Sequence, residues 1–455
     1  MQPLLTLASE IYRDHLKQIF KLSYPIILGQ LGLVLMGVAD TIMVGRLGED
    51  ALAGVNQGNS LFFMLSGLTI GVLFAVSTLV SIKVGEKNEK GGFIIYRAGI
   101  YVSLILFVFQ FVLLLILQQH FEWLKQSEAV NIIAPKYLSV VSWSVLPMLL
   151  FLNARQYTDG LGHTKISMVL TLAGLIVNVI LNAILIYGFG PIEAMGYMGA
   201  AWATLISRVF MMLSGLWYVR YARFMKQFLP DEMPNLKQVW QETLGIWKLG
   251  VPTALQTFAE WACFSLSGIM VGWYGSVQLA AHAVALNAAS VTYMVASGFG
   301  IAGSIMVGNA YGEKSRVKIK QVAHATFFLL LVFEIMNAVV FILFREQIAN
   351  LYGVGEEVMP FILPLFVLAA IFQVSDGIQA AAMSMLRGIK DVIWASVIAV
   401  FSYWVISIPA SYLLGETVGK EIYGIWLGFT IGLIVASLLG VYRFYQKSAR
   451  LTFDV

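Results

Sequence analysis

KLSYPIILGQLGLVLMGVADTIMVGRLG, residues 21–48, returns 227 positions later as KLGVPTALQTFAEWACFSLSGIMVGWYG, residues 248–275. The register runs on without a gap to residues 87 and 314, with 18 identities over 67 positions. "VGEK" at 84–87 falls on "YGEK" at 311–314. Apolar composition alone produces chance matches of Leu, Val and Ala. It does not produce a fixed register of Pro25 with Pro252 and of Gly-Glu-Lys with Gly-Glu-Lys. The chain is therefore a duplication, and internal repeats govern any reading of its fold.

What is duplicated is apolar. Of 455 residues, 59% are hydrophobic and 12% charged, and the mean hydropathy is +0.80. Soluble domains carry about 25% charged residues. The apolar residues come in continuous blocks of about 20, the length that crosses ~30 Å of hydrocarbon as a helix. Barrel strands alternate over about ten residues, and lipid satisfies no open backbone, so helices are expected. Spans are predicted at 19–45, 55–82, 94–117, 131–153, 166–188, 196–220, 245–273, 277–307, 320–344, 358–386, 392–414 and 422–445. The fold class is thus an all-α membrane protein of twelve transmembrane helices in two six-helix lobes. Residues 1–220 form the amino-terminal lobe, 221–243 a cytoplasmic linker containing "FLPDEMPNLKQ", and 244–455 the carboxy-terminal lobe.

Charge placement tests the layout. With a cytoplasmic amino terminus, 23 of the 29 basic residues fall on cytoplasmic segments. Arg46, Lys125, Lys136, Arg345 and Lys420 fall outside, and Arg208 lies within a span. This is the positive-inside pattern, with both termini in the cytoplasm. The net charge of +4 follows from it and calls for no nucleic acid. The amino terminus lacks the short apolar region and cleavage site of a signal peptide. Cys263, the single cysteine, sits in an apolar run and reads as a small buried hydrophobe. An offset of six helices keeps both halves in the same direction, so this is a parallel repeat. Two such bundles can rock against each other, which favours a transporter.

Ionisable residues inside spans are costly and point to function. They are Asp40, Arg208, Glu260, Glu334 and Asp376. Counting ~1.5 Å per residue from cytoplasmic Lys248 and Arg387 puts Glu260 at ~18 Å and Asp376 at ~17 Å depth. Asp40 lies further out, at ~28 Å from Lys21. The repeat pairs Asp40 with Ser267 and Glu260 with Leu33, so the halves share a scaffold but not their acids. Arg208 and Glu334 read as a structural ion pair, or Arg208 as the partner of Asp40. Asn178 and Asn182 share one helix face and serve either helix packing or a polar site. Two carboxylates such as Glu260 and Asp376 can bind Na⁺ with other oxygens, or protons. Either loading changes local charge and biases an inward–outward equilibrium.

The quoted 21–48 stretch resembles the multidrug and toxic compound extrusion (MATE) family, NorM-like branch. So do "KLGVPTALQTFAEWACF" at 248–264, "QLAAHAVALN" at 278–287, "FREQIANLYG" at 344–353, "FQVSDGIQAAAMSMLRGIKD" at 372–391 and "YGIWLGF" at 423–429. The resemblance implies two lobes around a V-shaped central cleft. It implies a secondary active efflux antiporter in the bacterial inner membrane, not an enzyme. Organic cations and amphipathic drugs would leave in exchange for Na⁺ or H⁺, with no resident cofactor. It assigns cation coupling to Glu260, Asp376 and Asp40, with Na⁺ held at Glu260 and Asp376. Asn178, Asn182, Gln256, Asn287 and Gln373 fall on its polar cleft. DinF-like relatives carry Asp where this chain has Asn182, which shifts proton chemistry toward the second lobe. Membrane lipids are the expected surroundings, and the fold needs no partner subunit, so a monomer is expected.

A lipid-linked-oligosaccharide flippase of the same superfamily is the alternative. Four intramembrane acids against one base suit cations better than pyrophosphate lipids. An intramembrane enzyme would carry D-D-x-x-D or H-E-x-x-H, and neither is present. A channel has no use for rocking parallel halves.

Overall fold

The computed structural model describes residues 2–124, 126–230 and 232–453, with side chains from residue 12 onward; Lys125, counted above among the outside bases, lies outside them. The described chain is helical. In order come α1 (Gln2–Gly45), α2 (Glu49–Gly85), α3 (Glu89–Gln119), α4 (Glu128–Val141), α5 (Val145–Gly160), α6 (Thr164–Tyr187) and α7 (Tyr197–Tyr221). After a short turn follow α8 (Leu236–Gly272), α9 (Ser276–Gly312), α10 (Arg316–Leu343), α11 (Arg345–Leu351), α12 (Met359–Gly388), α13 (Val392–Val400), α14 (Ile408–Tyr412) and α15 (Glu421–Ala449).

Among the described residues, eleven helical stretches are long and apolar enough to span a membrane. Twelve were expected. The difference is α8, which has ample length at 37 residues but carries Thr253, Gln256, Thr257 and Glu260 in its middle. Its start also differs from expectation. The segment read as linker to residue 243 is already helical from Leu236, because Asn235 and Gln238 cap the helix reciprocally. Gln238 N donates to Asn235 Oδ1 at 2.9 Å and Asn235 N to Gln238 Oε1 at 3.2 Å, a capping box that satisfies otherwise orphaned donors. The span at 392–417 is interrupted by wide π turns at Phe401–Ser407 and Leu413–Thr417, which leaves Ser402, Tyr403 and Ser407 turned into the bundle.

The repeat is visible in the backbone. Gly48 and Gly275, 227 apart, both begin a long helix with φ of 117° and 102°, which only glycine adopts without strain. Lys87 and Lys314, also 227 apart, both end those helices in the left-handed region, at 56° and 58°. Their backbone N–H groups close the turn on Val84 and Tyr311. Each half thus stops the same helix in the same way.

Contacts divide the chain into an amino-terminal unit, residues 28–254, and a carboxy-terminal unit, residues 1–27 with 255–455. The boundaries fall inside α1 and α8 rather than in the 221–243 linker, and they too are 227 apart. Ile19 and Ile26 of α1 belong to the core formed by Phe299, Ile305, Met306 and Leu386. Reciprocally, the start of α8 packs on α2, where a Cβ on Gly71 would lie 2.6 Å from Ala254 Cα. Gly298, the counterpart of Gly71, leaves room for Ile27, the counterpart of Ala254. Pro25 and Pro252 lie two residues before the crossings. Each half gives the first part of its first helix to the other half's unit.

Within the amino-terminal unit, buried amides and hydroxyls join helices, as is usual where lipid supplies no hydrophobic drive. Gln110 of α3 donates to Ser66 Oγ and accepts from Thr69 Oγ1, both at 2.8 Å. Cys263 is fully buried in the carboxy-terminal unit, as expected.

Candidate functional site

Two polar clusters hold the intramembrane acids, one in each unit. Asp40, Glu260, Asp376 and Glu334 are 5, 6, 5 and 1% exposed, so all four are removed from lipid and bulk water.

In the amino-terminal unit, Asp40 of α1 is met by α6 and α7. Asn182 Nδ2 donates to Asp40 Oδ1 at 2.5 Å and to Asn178 Oδ1 at 3.2 Å. Thr204 Oγ1 donates to Asp40 Oδ2 at 3.2 Å. Asn178 and Asn182 thus act together on one face, as their spacing predicts, and both carboxylate oxygens have a donor. The Arg208 charge acts on Asp40, while its Nη1 donates to Ser144 Oγ at 2.6 Å and its guanidinium lies 4.6 Å over the Phe62 ring. Of the two readings of Arg208, its charge acting on Asp40 within the amino-terminal unit favours the second. Asp40 is no frayed helix end, since three helices converge on it.

In the carboxy-terminal unit, α8, α9, α10 and α12 bring more acid and less compensation together. Tyr293 Oη donates to Glu260 Oε1 at 3.3 Å. Asp376 lies in the fields of both Glu260 and Glu334, while the Arg387 charge acts on Glu260. Thr292 Oγ1 donates to Gln373 Oε1 at 2.8 Å, and Asn337 Nδ2 donates to the same oxygen. Asp376 Oδ1, Gln256 Oε1, Gln373 Nε2 and Tyr403 Oη are buried without a protein partner, although buried polar atoms ordinarily have one. The structure therefore gathers Glu260, Asp376, Gln256 and Gln373 in one unit and Asp40, Asn178 and Asn182 in the other. Asn287 is exposed and accepts instead from Tyr352 Oη at 2.9 Å.

Ser267, the repeat counterpart of Asp40, has a different neighbourhood. Its Oγ donates to Phe264 O at 2.5 Å and lies 3.4 Å from His282 Nε2. His282 Nδ1 accepts from Trp426 Nε1 at 3.2 Å. Indole is a donor only, so the proton of a neutral imidazole sits on Nε2. A neutral chain thus stands where the other half keeps a carboxylate.

Sequence reasoning missed Tyr293, Thr292 and Asn337, and set Glu334 aside. The signals were Asn337 one turn after Glu334 and Thr292–Tyr293 five and six residues after the polar Asn287. Among the described residues no group of three or more His, Cys, Asp or Glu is arranged to hold a metal ion. Na⁺ at Glu260 and Asp376 would draw its remaining ligands from neutral oxygens such as Tyr293 Oη, as hard cations accept.

Parallel six-helix halves, each with carboxylates buried between helices, define a polytopic membrane protein of the transporter class. The chain belongs to the MatE family, whose family model matches twice, at residues 25–184 and 252–413. It is 31% identical over 449 residues to a probable multidrug resistance protein NorM of Mannheimia succiniciproducens, covering 96% of this chain and 94% of that one. It is 32% identical over 437 residues to the multidrug resistance protein MdtK of Yersinia pseudotuberculosis, covering 94% of each. Among solved structures it matches the eukaryotic MATE transporter AtDTX14 with a TM-score of 0.87 at 19% identity, over 96% of this chain and 98% of that one. A MOP superfamily transporter from Pyrococcus furiosus gives 0.86 at 21% identity, over 97% of each. These two likenesses carry the fold.

Proposed function

We propose that the chain is a secondary active multidrug efflux antiporter. It exports organic cations and amphipathic drugs in exchange for Na⁺ or H⁺ across the bacterial inner membrane, with both termini cytoplasmic. The observation that carries this is the Glu260–Asp376 pair. Two carboxylates lie in mutual electrostatic range, buried between helices, and one Asp376 oxygen has no protein partner. Such a pair favours loading by a cation, and a cationic drug or the coupling ion satisfies it equally well. Occupancy by one disfavours the other, which is the requirement for exchange. The curated relatives at about 30% identity bear the names of multidrug resistance proteins, which supports drug-like cargo. Asp40, already bonded through both oxygens, serves as an auxiliary site. The two units, residues 28–254 and residues 1–27 with 255–455, are the parts that would supply alternating access.

The test is ethidium efflux from proteoliposomes with Na⁺ and H⁺ gradients imposed separately. One gradient drives efflux in the wild type, and Glu260→Ala and Asp376→Ala abolish it while folding is retained. Full activity in both variants overturns the assignment.

A further inference from the structure

Lys17 and Lys21 stand one turn apart on α1, and both are exposed. Among the described residues neither has an ion-pair or hydrogen-bond partner. Like charges at this spacing repel. Beside them a groove of about 420 Å³ runs between α1 and α10, lined by Leu16, Lys17, Phe20, Lys21, Tyr24 and Leu329. All six belong to the carboxy-terminal unit. The lining is almost wholly apolar, so the lysines contribute their hydrocarbon stems and carry their ammonium groups at the rim. Leu16, Phe20 and Tyr24 follow at four-residue spacing and make one stripe of α1. Packing holds these walls in place. Ile19 is fully buried in the core of the unit, and Leu16 and Leu329 pack against that core. Closer to the start of α1, the Tyr12 hydroxyl reaches His324 O at 3.5 Å, and its ring meets Phe328 edge-on at 6.2 Å. The repeat does not copy the lysine pair. Lys248 answers Lys21, but Leu244 stands at the position of Lys17.

We propose that this groove binds an anionic phospholipid, with the phosphate between Lys17 and Lys21 and an acyl chain along the groove. Shape and charge select the occupant. Walls of leucine, phenylalanine and lysine stems on a membrane-spanning helix take hydrocarbon, not a free anion. Two unpaired cations at the rim select a headgroup of net negative charge. A zwitterionic headgroup brings its own ammonium, which competes with the lysines for the phosphate. The same two charges repel the cationic drugs proposed as cargo, so the groove is no second drug site. Both lysines precede or open the apolar run of α1, where basic residues gather at a membrane surface and anionic lipids attract them. An anion between them relieves their repulsion. The chain of the lipid then touches α1 and α10 together and clips the start of α1 to its neighbour. None of the lining residues belongs to the coupling cluster.

The experiment titrates purified full-length protein in neutral detergent with dioleoyl-phosphatidylglycerol and counts bound lipids by native mass spectrometry. One such lipid is expected to bind more tightly than dioleoyl-phosphatidylcholine does. A lysine beside an anionic headgroup is worth about fivefold in affinity, so Lys17→Gln or Lys21→Gln should weaken that lipid about fivefold and the double variant about 25-fold. The control Lys165→Gln with Lys237→Gln removes the same charge from the amino-terminal unit and should leave the tight lipid in place. Equal binding of the two lipids by the wild type overturns the proposal. So does an unchanged affinity in the double Lys17 and Lys21 variant, or an equal loss in the control. Glycerol phosphate has the headgroup chemistry without the chains and should not displace the lipid. Displacement by it would make this a site for free phosphate and overturn the lipid assignment. A dimer that is lost in the double variant would make a second copy of the chain the occupant, with the same consequence. Both lysines are exposed, and if the double variant fails to fold, either single variant decides the matter.

Discussion

Asp40 and Asp376 are both buried aspartates in duplicated halves, but the structure treats them oppositely. Asp40 has Asn182 on one oxygen, Thr204 on the other and the Arg208 charge acting on it. Asp376 has one oxygen unpartnered and two further acids acting on it. One site is compensated by the protein, and the other is not. Duplication preserved the helices, while divergence gave each half its own electrostatics. The uncompensated site is the one suited to change its occupant during a transport cycle.

The comparison breaks most directly at the second-lobe pair. Removing a buried carboxylate that binds a cation costs about 2–5 kcal/mol. Glu260→Ala or Asp376→Ala should therefore lower ion-driven ethidium export by about 30-fold or more, measured as initial efflux rate. Asp40→Asn should lower it by no more than about tenfold. Asp40→Ala additionally leaves the Thr204 hydroxyl without its acceptor and removes one of two acceptors of Asn182 Nδ2, at about 1–3 kcal/mol in thermal stability. Loss of export as complete as in the second-lobe variants would erase the asymmetry.

A second contrast concerns the two helix crossings. Alanine at Gly71 meets the backbone of Ala254, whereas alanine at Gly298 meets the base of the Ile27 side chain at Cγ1. Overpacking costs about 1–3 kcal/mol, and Gly71→Ala should sit at the upper end and Gly298→Ala at the lower, read as midpoints of thermal unfolding. The smallest effect lies outside the membrane. Burial against Phe224 and Phe228 pushes the His163 pKa below its ordinary value. Released histidine binds the proton more readily, so docking of the 223–228 turn is full above the ordinary histidine value. It weakens as pH falls below about 6. Tryptic cleavage at exposed Arg223 and Lys226 should quicken modestly there.

Much of the fold was legible because apolar length and basic-residue placement are one-dimensional properties. The Pro25–Pro252 and Gly-Glu-Lys registers were legible for the same reason. The clustering of Glu260 with Asp376 was suggested by equal depth, and Asp40 was read as standing apart by its own depth. Glu334 was not legible as part of a site. Nothing in sequence order says that its face of α10 meets Gly377 rather than lipid. The crossings at 27 and 254 were hidden too, since an unbroken helix gives no sign that its two ends serve different cores.

Those crossings bear on how such a chain is completed. A single half, made as a free polypeptide, would leave one core missing Ile19 and Ile26 or their counterparts. It would complete that core only by borrowing the first helix of a second copy. In the present chain the exchange is internal, so the core of each unit is complete only when the first helix of the other half has been made.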